Sequence, residues 1–452
     1  MDICGAAKDL RVYRGKWRTG MNVKHDLYKH EVHLNLNVRG LALSPTLEIN
    51  ETSRRLVKEG RNIYKFGLGQ SPFPVPDQVV ESLRANAGQK DYLAVKGLEE
   101  LRQAISGYYQ REHGLQFDWQ NMLVGPGSKE LMFLLQLVYY GDLVIPLPSW
   151  VSYAPQANIV GRPVCWIKTK QENDWLITPE DLERHCMKDP TKPRILILNY
   201  PNNPTGKSYS DTMLKDLAGV ARKYHVIVLS DEIYGEVNFT FAHRSIARYY
   251  PEGTIVSSGL SKWCGAGGWR LGINVFPEEL TWLLDAMASV ASETFTSTSA
   301  PIQHAAITAF EGGPWLDSYL NRSRKILAGL ANYVYTSMDS AGISVGRAEG
   351  GFYLFPDFTP FEDKFVRSNI DDSEQLCKKI LEETGVAMLP GSAFGLPPER
   401  YLARLAFVDF DGATALDALE KLGDDSQVDD NFLSTYCPKV LKATDLICDW
   451  LS

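Results

Sequence analysis

The segment RILILNYPNNPTGKSYSDTMLKDLAGVARKYHVIVLSDEIY, residues 194–234, changes its hydrophobic pattern twice. RILILN (194–199) and VIVLS (226–230) are short apolar runs that predict buried strands. Between them, LKDLAGVARKYH (214–225) has the spacing of an amphipathic helix. The order strand, helix, strand predicts a parallel βαβ unit, so this segment favours an α/β fold.

The same alternation starts near residue 121 and continues to the end of the strand-like run GTIVSSGLSK (253–262). NMLVGPG predicts a short strand that ends at a Gly-Pro-Gly turn, and a helix is predicted to follow from residue 128. Apolar, β-branched runs that alternate with helices indicate a mostly parallel sheet covered on both faces. Beyond a long helical stretch at 314–342, further strand and helix patterns predict a second, smaller domain.

Composition excludes several classes of protein. The chain has 452 residues, 44% hydrophobic and 23% charged, with a net charge of −8. An acidic chain lacks the basic surplus of a nucleic-acid binder, and no apolar run approaches the roughly 20 residues that span a bilayer. The N-terminus lacks the apolar core of a secretory signal. We therefore expect a cytoplasmic protein that binds neither nucleic acid nor membrane.

The seven cysteines are dispersed and include no CxxC pair, which favours reduced thiols over a disulfide framework. The eight histidines form no metal-binding motif such as HExxH. We therefore predict no metal site.

Several polar side chains follow predicted strands, where ligands of open parallel sheets bind. Asn203 follows RILILNYPN, Asp231 follows VIVLS, and Lys262 follows TIVSSGLS. Each has a plainer alternative: Asn203 could shape a turn, Asp231 could cap a helix or ligate a metal, and Lys262 could be a surface cation. Tyr234, three residues after Asp231, could be part of the core.

The turn Gly125–Lys129 precedes a predicted helix, so its free N–H groups and the helix dipole could bind an anion. The spacing is not that of a P-loop, and FGLGQSPF (66–73) lacks the third glycine of a dinucleotide fingerprint. A small phosphate therefore suits this turn better than a nucleotide. A plain capped turn is the alternative.

Together these segments resemble the class I and II aminotransferases, which are pyridoxal-phosphate enzymes of fold type I. The resemblance spans residues 50–420 and is carried by motifs in the family's order. The strong matches are NYPNNPTG (199–206), SDEIYGEV (230–237), SGLSKWCGAGGWRLG (258–272) and YLARLAF (401–407). The weaker ones are DYLAVKGLEELRQAI (91–105), GPGSKELMF (125–133), PLPSWVSY (146–153) and GGFYLFP (350–356).

The resemblance implies roles for the residues around the cofactor ring. Lys262 is expected to hold pyridoxal 5'-phosphate as a Schiff base and to shuttle the proton. Asp231 is expected to face the pyridine nitrogen, and Trp150 to stack on the ring. Asn203 and Tyr234 are expected to hydrogen-bond the phenolic oxygen.

The resemblance also implies a phosphate site and a substrate site. The residues expected around the phosphate are Gly127, Ser128, Lys129, Ser258, Ser261, Arg270 and, from a neighbouring subunit, Tyr92, with Thr298 as a weaker candidate. Arg404 is expected to clamp the substrate α-carboxylate, with Gly69 and Asn203 also contacting the substrate.

The implied architecture is a large domain with a mostly parallel seven-stranded sheet flanked by helices, and a smaller α+β domain. The expected boundaries are an N-terminal arm at 1–50, a small domain at 51–90 and 314–423, a large cofactor-binding domain at 91–313, and a C-terminal extension helix at 424–452. The resemblance also implies a homodimer with active sites at the subunit interface.

The expected activity is transfer of an amino group between an L-amino acid and a 2-oxo acid, with ping-pong kinetics. One alternative is a lyase, decarboxylase or synthase that uses the same cofactor on the same fold, because a fold does not dictate its reaction. A second is a non-catalytic binding protein that retains the fold.

Overall fold

The βαβ unit predicted at 194–234 is present in the structure, a computed structural model that describes residues 33–240, 243–424 and 426–452. Residues 1–32 of the predicted N-terminal arm lie outside the described residues. Residues 40–452 form one compact unit, whereas 33–39 belong to a separate N-terminal unit with a turn in which the Val38 N–H donates to the Asn35 carbonyl.

The described residues contain twelve strands, of which β2 to β8 form the central sheet. The twelve strands are β1 (Tyr64–Lys65), β2 (Met122–Gly125), β3 (Asp142–Leu147), β4 (Val164–Lys168), β5 (Arg194–Asn199), β6 (Ile227–Asp231), β7 (Thr254–Gly259), β8 (Gly272–Val275), β9 (Tyr353–Leu354), β10 (Val386–Ala387), β11 (Leu389–Pro390) and β12 (Ala403–Ala406).

The α-helices flank this sheet or build the rest of the unit. They are α1 (Pro45–Lys58), α2 (Asp77–Asn86), α3 (Glu99–Tyr108), α4 (Ser128–Val138), α5 (Tyr153–Ile159), α6 (Pro179–Cys186), α7 (Asp211–Lys223), α8 (Thr281–Thr294), α9 (Ala300–Glu311), α10 (Pro314–Ser340), α11 (Glu362–Arg367), α12 (Ser373–Thr384), α13 (Gly412–Leu422), α14 (Asp430–Tyr436) and α15 (Pro438–Leu451). No helix among the described residues is long and apolar enough to cross a membrane.

The central sheet has the order β2-β8-β7-β6-β5-β3-β4. The pairs β7–β6, β6–β5, β5–β3 and β3–β4 are parallel, and β8 is antiparallel to both of its neighbours. The loop at 260–271 holds only a 3-10 turn, so β8 returns directly beside β7 without a crossover helix. The mostly parallel, seven-stranded sheet predicted from the sequence is thereby confirmed.

Successive residues of β5 serve two different cores, as the alternation of a strand requires. Ile195 and Ile197 pack in a cluster with residues of α4 and α8, and Leu196 and Leu198 pack in a cluster with residues of α6 and α7. All six residues of β5 are buried, which explains why the strand reads as a continuous apolar run.

The remaining strands form two smaller sheets. β11, β12 and β9 make an antiparallel sheet in that order, and β1 pairs with β10 in parallel. The 27-residue helix α10 packs against α13 and α15. The predicted C-terminal extension consists of two helices, of which α15 buries Val440 and Ile447 in the main apolar core. The predicted domain boundaries stay a prediction.

Candidate active site

Side chains from the carboxyl ends of the central strands meet in one cavity of about 460 Å³. Asp231 is the last residue of β6, Asn203 follows β5, Lys262 follows β7, and Ser128 begins the helix after β2. Parallel strands end at the same edge of a sheet, so residues far apart in sequence come together there. The predicted residues that line the cavity are Gly69, Ser128, Lys129, Trp150, Asn203, Asp231, Tyr234, Ser261, Lys262, Arg270 and Arg404.

Four predicted residues are not among those lining the cavity. Gly127 lies immediately before the lining residue Ser128, and Ser258 hydrogen-bonds the hydroxyl of Tyr109. Tyr92 is 89% exposed, and Thr298 is buried. Their roles toward the phosphate stay predictions.

Lys262 is partly buried and carries the reactive amine of the cavity. Its Nζ donates a hydrogen bond of 2.7 Å to the carbonyl oxygen of Gly69 and lies 5.5 Å from the ring centroids of Tyr234 and Phe352. Burial, with a further contribution from the positive charge of Arg404, lowers the pKa of Lys262 to about 8. Near neutral pH a larger fraction of this amine is therefore neutral, and nucleophilic, than in a lysine with the ordinary pKa.

Asp231 places a buried carboxylate in the same cavity, only 3% exposed. One oxygen accepts a hydrogen bond from the hydroxyl of Tyr153, and the other accepts one from the Ile233 N–H at 3.4 Å. Burial raises the pKa of Asp231 to about 6, against the opposing effect of these hydrogen bonds and of Lys262. Such a carboxylate favours a protonated, positively charged partner.

Arg404, on β12, is a cation with 1% exposure. It donates to the Asn203 side-chain oxygen at 3.0 Å and to the Gly67 carbonyl at 2.5 Å, and its guanidinium centre lies 4.6 Å from the ring centroid of Tyr353. Its Nε has no hydrogen-bond partner among the described residues. A buried cation held by neutral groups, with a donor to spare, is suited to bind an anion.

The turn before α4 forms a second place for an anion. Gly127 has φ 92°, and α4 begins without a side-chain cap, so no side chain at the cap satisfies the first N–H groups of the helix. A Cβ on Gly127 would lie 2.2 Å from the guanidinium of Arg270. Arg270 reaches over this turn, donating to the Pro126 carbonyl at 3.3 Å and to the Gly267 carbonyl at 2.9 Å.

Known proteins resemble this chain in sequence and in fold. The model of the family "Aminotransferase class I and II" matches residues 60–414. The chain belongs to the class I and II aminotransferase family. It is 29% identical to an aspartate aminotransferase of Bacillus subtilis over 85% of this chain and 95% of the relative. It is 31% identical to a probable aspartate/prephenate aminotransferase of Rhizobium leguminosarum over 78% of this chain and 90% of the relative.

The fold of this aminotransferase is also found among solved structures. The aspartate aminotransferase of Thermus thermophilus with maleate superposes with a TM-score of 0.79 at 25% identity, covering 93% of this chain and all of that one. The fold type predicted from the sequence and the aminotransferase activity are thus both confirmed.

Two tyrosines of the aminotransferase site were missed by the sequence analysis. Tyr153 hydrogen-bonds Asp231, and the hydroxyl of Tyr353 lies 2.7 Å from that of Tyr234. Both stand inside the quoted motifs PLPSWVSY and GGFYLFP, but nothing in the spacing says which way a tyrosine points. Ser44, Thr46 and Leu47, at the start of α1, also line the cavity, in a segment predicted to be an arm.

At the opposite edge of the sheet, Asp142, Cys165 and His185 each place one potential ligand atom within 4.8 Å of the others. The ammonium of Lys192 lies 2.8 Å from Asp142, so a cation already neutralises this carboxylate. The absence of a metal site stays a prediction. The six cysteines among the described residues are all free thiols.

Proposed function

We propose that this aminotransferase uses pyridoxal 5'-phosphate, bound covalently at Lys262, and acts on dicarboxylic amino acids and 2-oxo acids. The observation that carries the proposal is the buried Arg404 beside Lys262 and Asp231 in one cavity. An arginine fork recognises a carboxylate, and the neighbouring amine and carboxylate supply the groups that an amino-transfer cofactor requires.

The donors of the cavity fit this cofactor. The N-terminus of α4 with Arg270 suits a phosphate, and the low-pKa amine of Lys262 suits an aldehyde. Asp231 suits a protonated pyridine nitrogen, and Trp150 offers a flat apolar surface for a ring. When bound, pyridoxal phosphate supplies an electron-withdrawing ring that stabilises negative charge at the substrate α-carbon.

The side chains of the cavity would have separate roles toward the substrate and the cofactor. Arg404 and Asn203 hold the α-carboxylate and fix the orientation of the substrate. Once the amino group of the substrate has displaced it from the cofactor, the free Nζ of Lys262 would take the proton from the substrate α-carbon and return it to the cofactor, for which a pKa of about 8 is well matched to neutral pH. Asp231, which is buried and accepts a hydrogen bond from Tyr153, would hold the protonated ring nitrogen of the cofactor.

The names of two relatives and the ligand of a solved structure support the dicarboxylic substrate. The relatives from Bacillus subtilis and Rhizobium leguminosarum are named an aspartate and a probable aspartate/prephenate aminotransferase, and the Thermus structure contains maleate, a dicarboxylate.

We also propose that the chain acts as a homodimer. Tyr92 and Tyr140 are each 89% exposed and Trp282 is 54% exposed, so each offers a large aromatic surface that a second subunit could cover. In such a dimer, the hydroxyl of Tyr92 would reach the phosphate site of the second subunit. Light scattering of the purified protein should give twice the mass of one chain, and Tyr92→Phe should weaken cofactor binding without changing that mass.

The test of the main proposal is direct. The purified protein should absorb in the visible range, and aspartate with 2-oxoglutarate should give oxaloacetate and glutamate in equal amounts with parallel double-reciprocal plots. Release of ammonia or carbon dioxide instead would identify a lyase or decarboxylase. A colourless protein that does not bind added pyridoxal phosphate would contradict the proposed cofactor. A preference for apolar over acidic amino donors would contradict the proposed substrate class.

A further inference from the structure

Tyr353 joins the strands that carry Arg404 to the segment that carries Tyr234. It lies on β9, which pairs with β12 in the register Ala406↔Tyr353, two residues from Arg404. Its ring contacts the guanidinium of Arg404, and its hydroxyl reaches Tyr234, which follows the sheet strand β6. One side chain therefore touches both the proposed carboxylate clamp and a proposed cofactor contact.

The fit around this tyrosine is tight. Tyr353 is 1% exposed and Tyr234 is 3% exposed. A Cβ placed on Gly69 would lie 1.8 Å from the hydroxyl of Tyr353, so only glycine can stand beside it. Gly69 is also the residue whose carbonyl accepts the hydrogen bond from Lys262, and these contacts hold Tyr353 in one position.

Only one direction of the hydrogen bond between Tyr353 and Tyr234 leaves the proton of Tyr234 free for a ligand. Each hydroxyl has a single proton, so if Tyr234 donated to Tyr353 it would have none left for a ligand in the cavity. The guanidinium of Arg404 lies 4.6 Å from the ring centroid of Tyr353, and its positive charge opposes the rise in the pKa of Tyr353 that burial causes. A cation beside a phenol makes the hydroxyl a better donor, which favours donation from Tyr353 to Tyr234.

We propose that Tyr353 is a positioning residue that donates its proton to the Tyr234 oxygen and thereby directs the Tyr234 proton into the cavity. Its ring also backs the guanidinium of Arg404, so that the carboxylate clamp and Tyr234 are held in one fixed relation. This inference rests on the proposed function and adds a residue with no role in the motif-based site.

The test is a double-mutant cycle of Tyr353→Phe and Tyr234→Phe, which removes the hydroxyls and keeps both rings. Tyr353→Phe should lower kcat by about fivefold to tenfold, the effect of one hydrogen bond, with little change in KM. It should also weaken the binding of pyridoxal phosphate to the cofactor-free protein and shift the absorbance of the bound cofactor. In the Tyr234→Phe background the same substitution should have almost no further effect.

The matched control is Tyr401→Phe, whose hydroxyl donates to the Ile370 carbonyl away from the cavity. It should leave kcat, cofactor affinity and absorbance unchanged. If wild type and the control are active but the two losses multiply in the double variant, or if Tyr353→Phe equals wild type, Tyr353 does not act through Tyr234 and the inference is wrong. If the wild type neither binds the cofactor nor transfers amino groups, the proposed function fails and the inference falls with it.

Discussion

The ammonium group of Lys262 and the backbone carbonyl of Gly69 are joined by a hydrogen bond of 2.7 Å. The two residues come from different parts of the chain, the loop after β7 and the segment after β1. The bond satisfies one ammonium proton with a neutral acceptor. Because this acceptor is uncharged, it does not neutralise the ammonium group. The charged form of Lys262 is therefore unfavourable in the buried cavity, and the pKa of Lys262 is low.

Substitution of Lys262 by alanine should remove both covalent attachment of the cofactor and proton transfer. We expect kcat to fall at least about a hundredfold, because loss of an acid–base group alone has this effect. The visible absorbance should disappear or shift to that of free cofactor. Lys223→Ala on the outer helix α7 removes only a surface pair with Glu183 and should keep colour and activity. A yellow, fully active Lys262→Ala variant would contradict the assignment.

The pKa of about 8 for Lys262 predicts how cofactor capture depends on pH. Only the neutral amine attacks an aldehyde, so the capture rate of the cofactor-free protein should rise with pH below 8 and level off above it. Stopped-flow absorbance measures this rate. Asp231 raises the pKa of Lys262, so Asp231→Asn should move the midpoint to lower pH. A midpoint near the ordinary lysine value of about 10.4 would refute the effect of burial.

Arg404→Lys keeps the positive charge but loses the planar fork that can hold a carboxylate with two hydrogen bonds. We expect kcat/KM to fall about 10- to 100-fold, mainly through a higher KM, as for the loss of one charged hydrogen bond. Arg400→Lys is the matched control, since Arg400 is partly exposed and pairs with Asp357. If Arg404→Lys and Arg400→Lys had equal kcat/KM, Arg404 would not bind the substrate.

Gly127→Ala should weaken phosphate binding. Its φ of 92° is unfavourable for alanine by about 1–2 kcal/mol, and the new Cβ would displace the guanidinium of Arg270. We expect about tenfold weaker binding of pyridoxal phosphate in equilibrium titrations. Gly219→Ala, inside α7 with nothing within 4 Å, should raise stability by up to about 1 kcal/mol and leave that affinity unchanged. If Gly127→Ala and Gly219→Ala bound pyridoxal phosphate with equal affinity, the turn at Gly127 would not bind the phosphate.

Glu236 is a buried carboxylate that pairs with His113 and Arg324, and despite its burial these partners lower its pKa to about 2. A lowered pKa adds stability above the unfolded value of about 4.3, and that stability is lost as pH falls through 4 toward 2. Glu236→Gln should therefore destabilise by about 3 kcal/mol at pH 7 in urea unfolding, and by less at pH 3.5. Glu252→Gln, a surface pair with Arg222, should cost less than about 1 kcal/mol. If the difference in unfolding free energy between wild type and Glu236→Gln did not change with pH, the ion pairs of Glu236 would not lower its pKa.

Elements with strong, uninterrupted patterns could be predicted from the sequence. β5 is buried on both faces and reads as an apolar run, and α7 has a Ser210 cap and a regular apolar stripe. The edge strand β4 could not be predicted, because only Ile167 of its five residues is buried and its pattern is weak. β8 is four residues long and antiparallel, so it follows no βαβ pattern.

The sequence by itself determined which chemical groups this protein has and which strand each one follows. The resemblance carried by the order of the motifs predicted the roles of Lys262, Asp231 and Arg404. Tertiary structure decided how these groups act on one another. Lys262 loses much of its basicity through burial and the nearby guanidinium of Arg404, and Tyr353 meets Tyr234 from a strand 119 residues away in sequence. Such effects depend on distance and burial in space, which residue spacing along the chain does not specify.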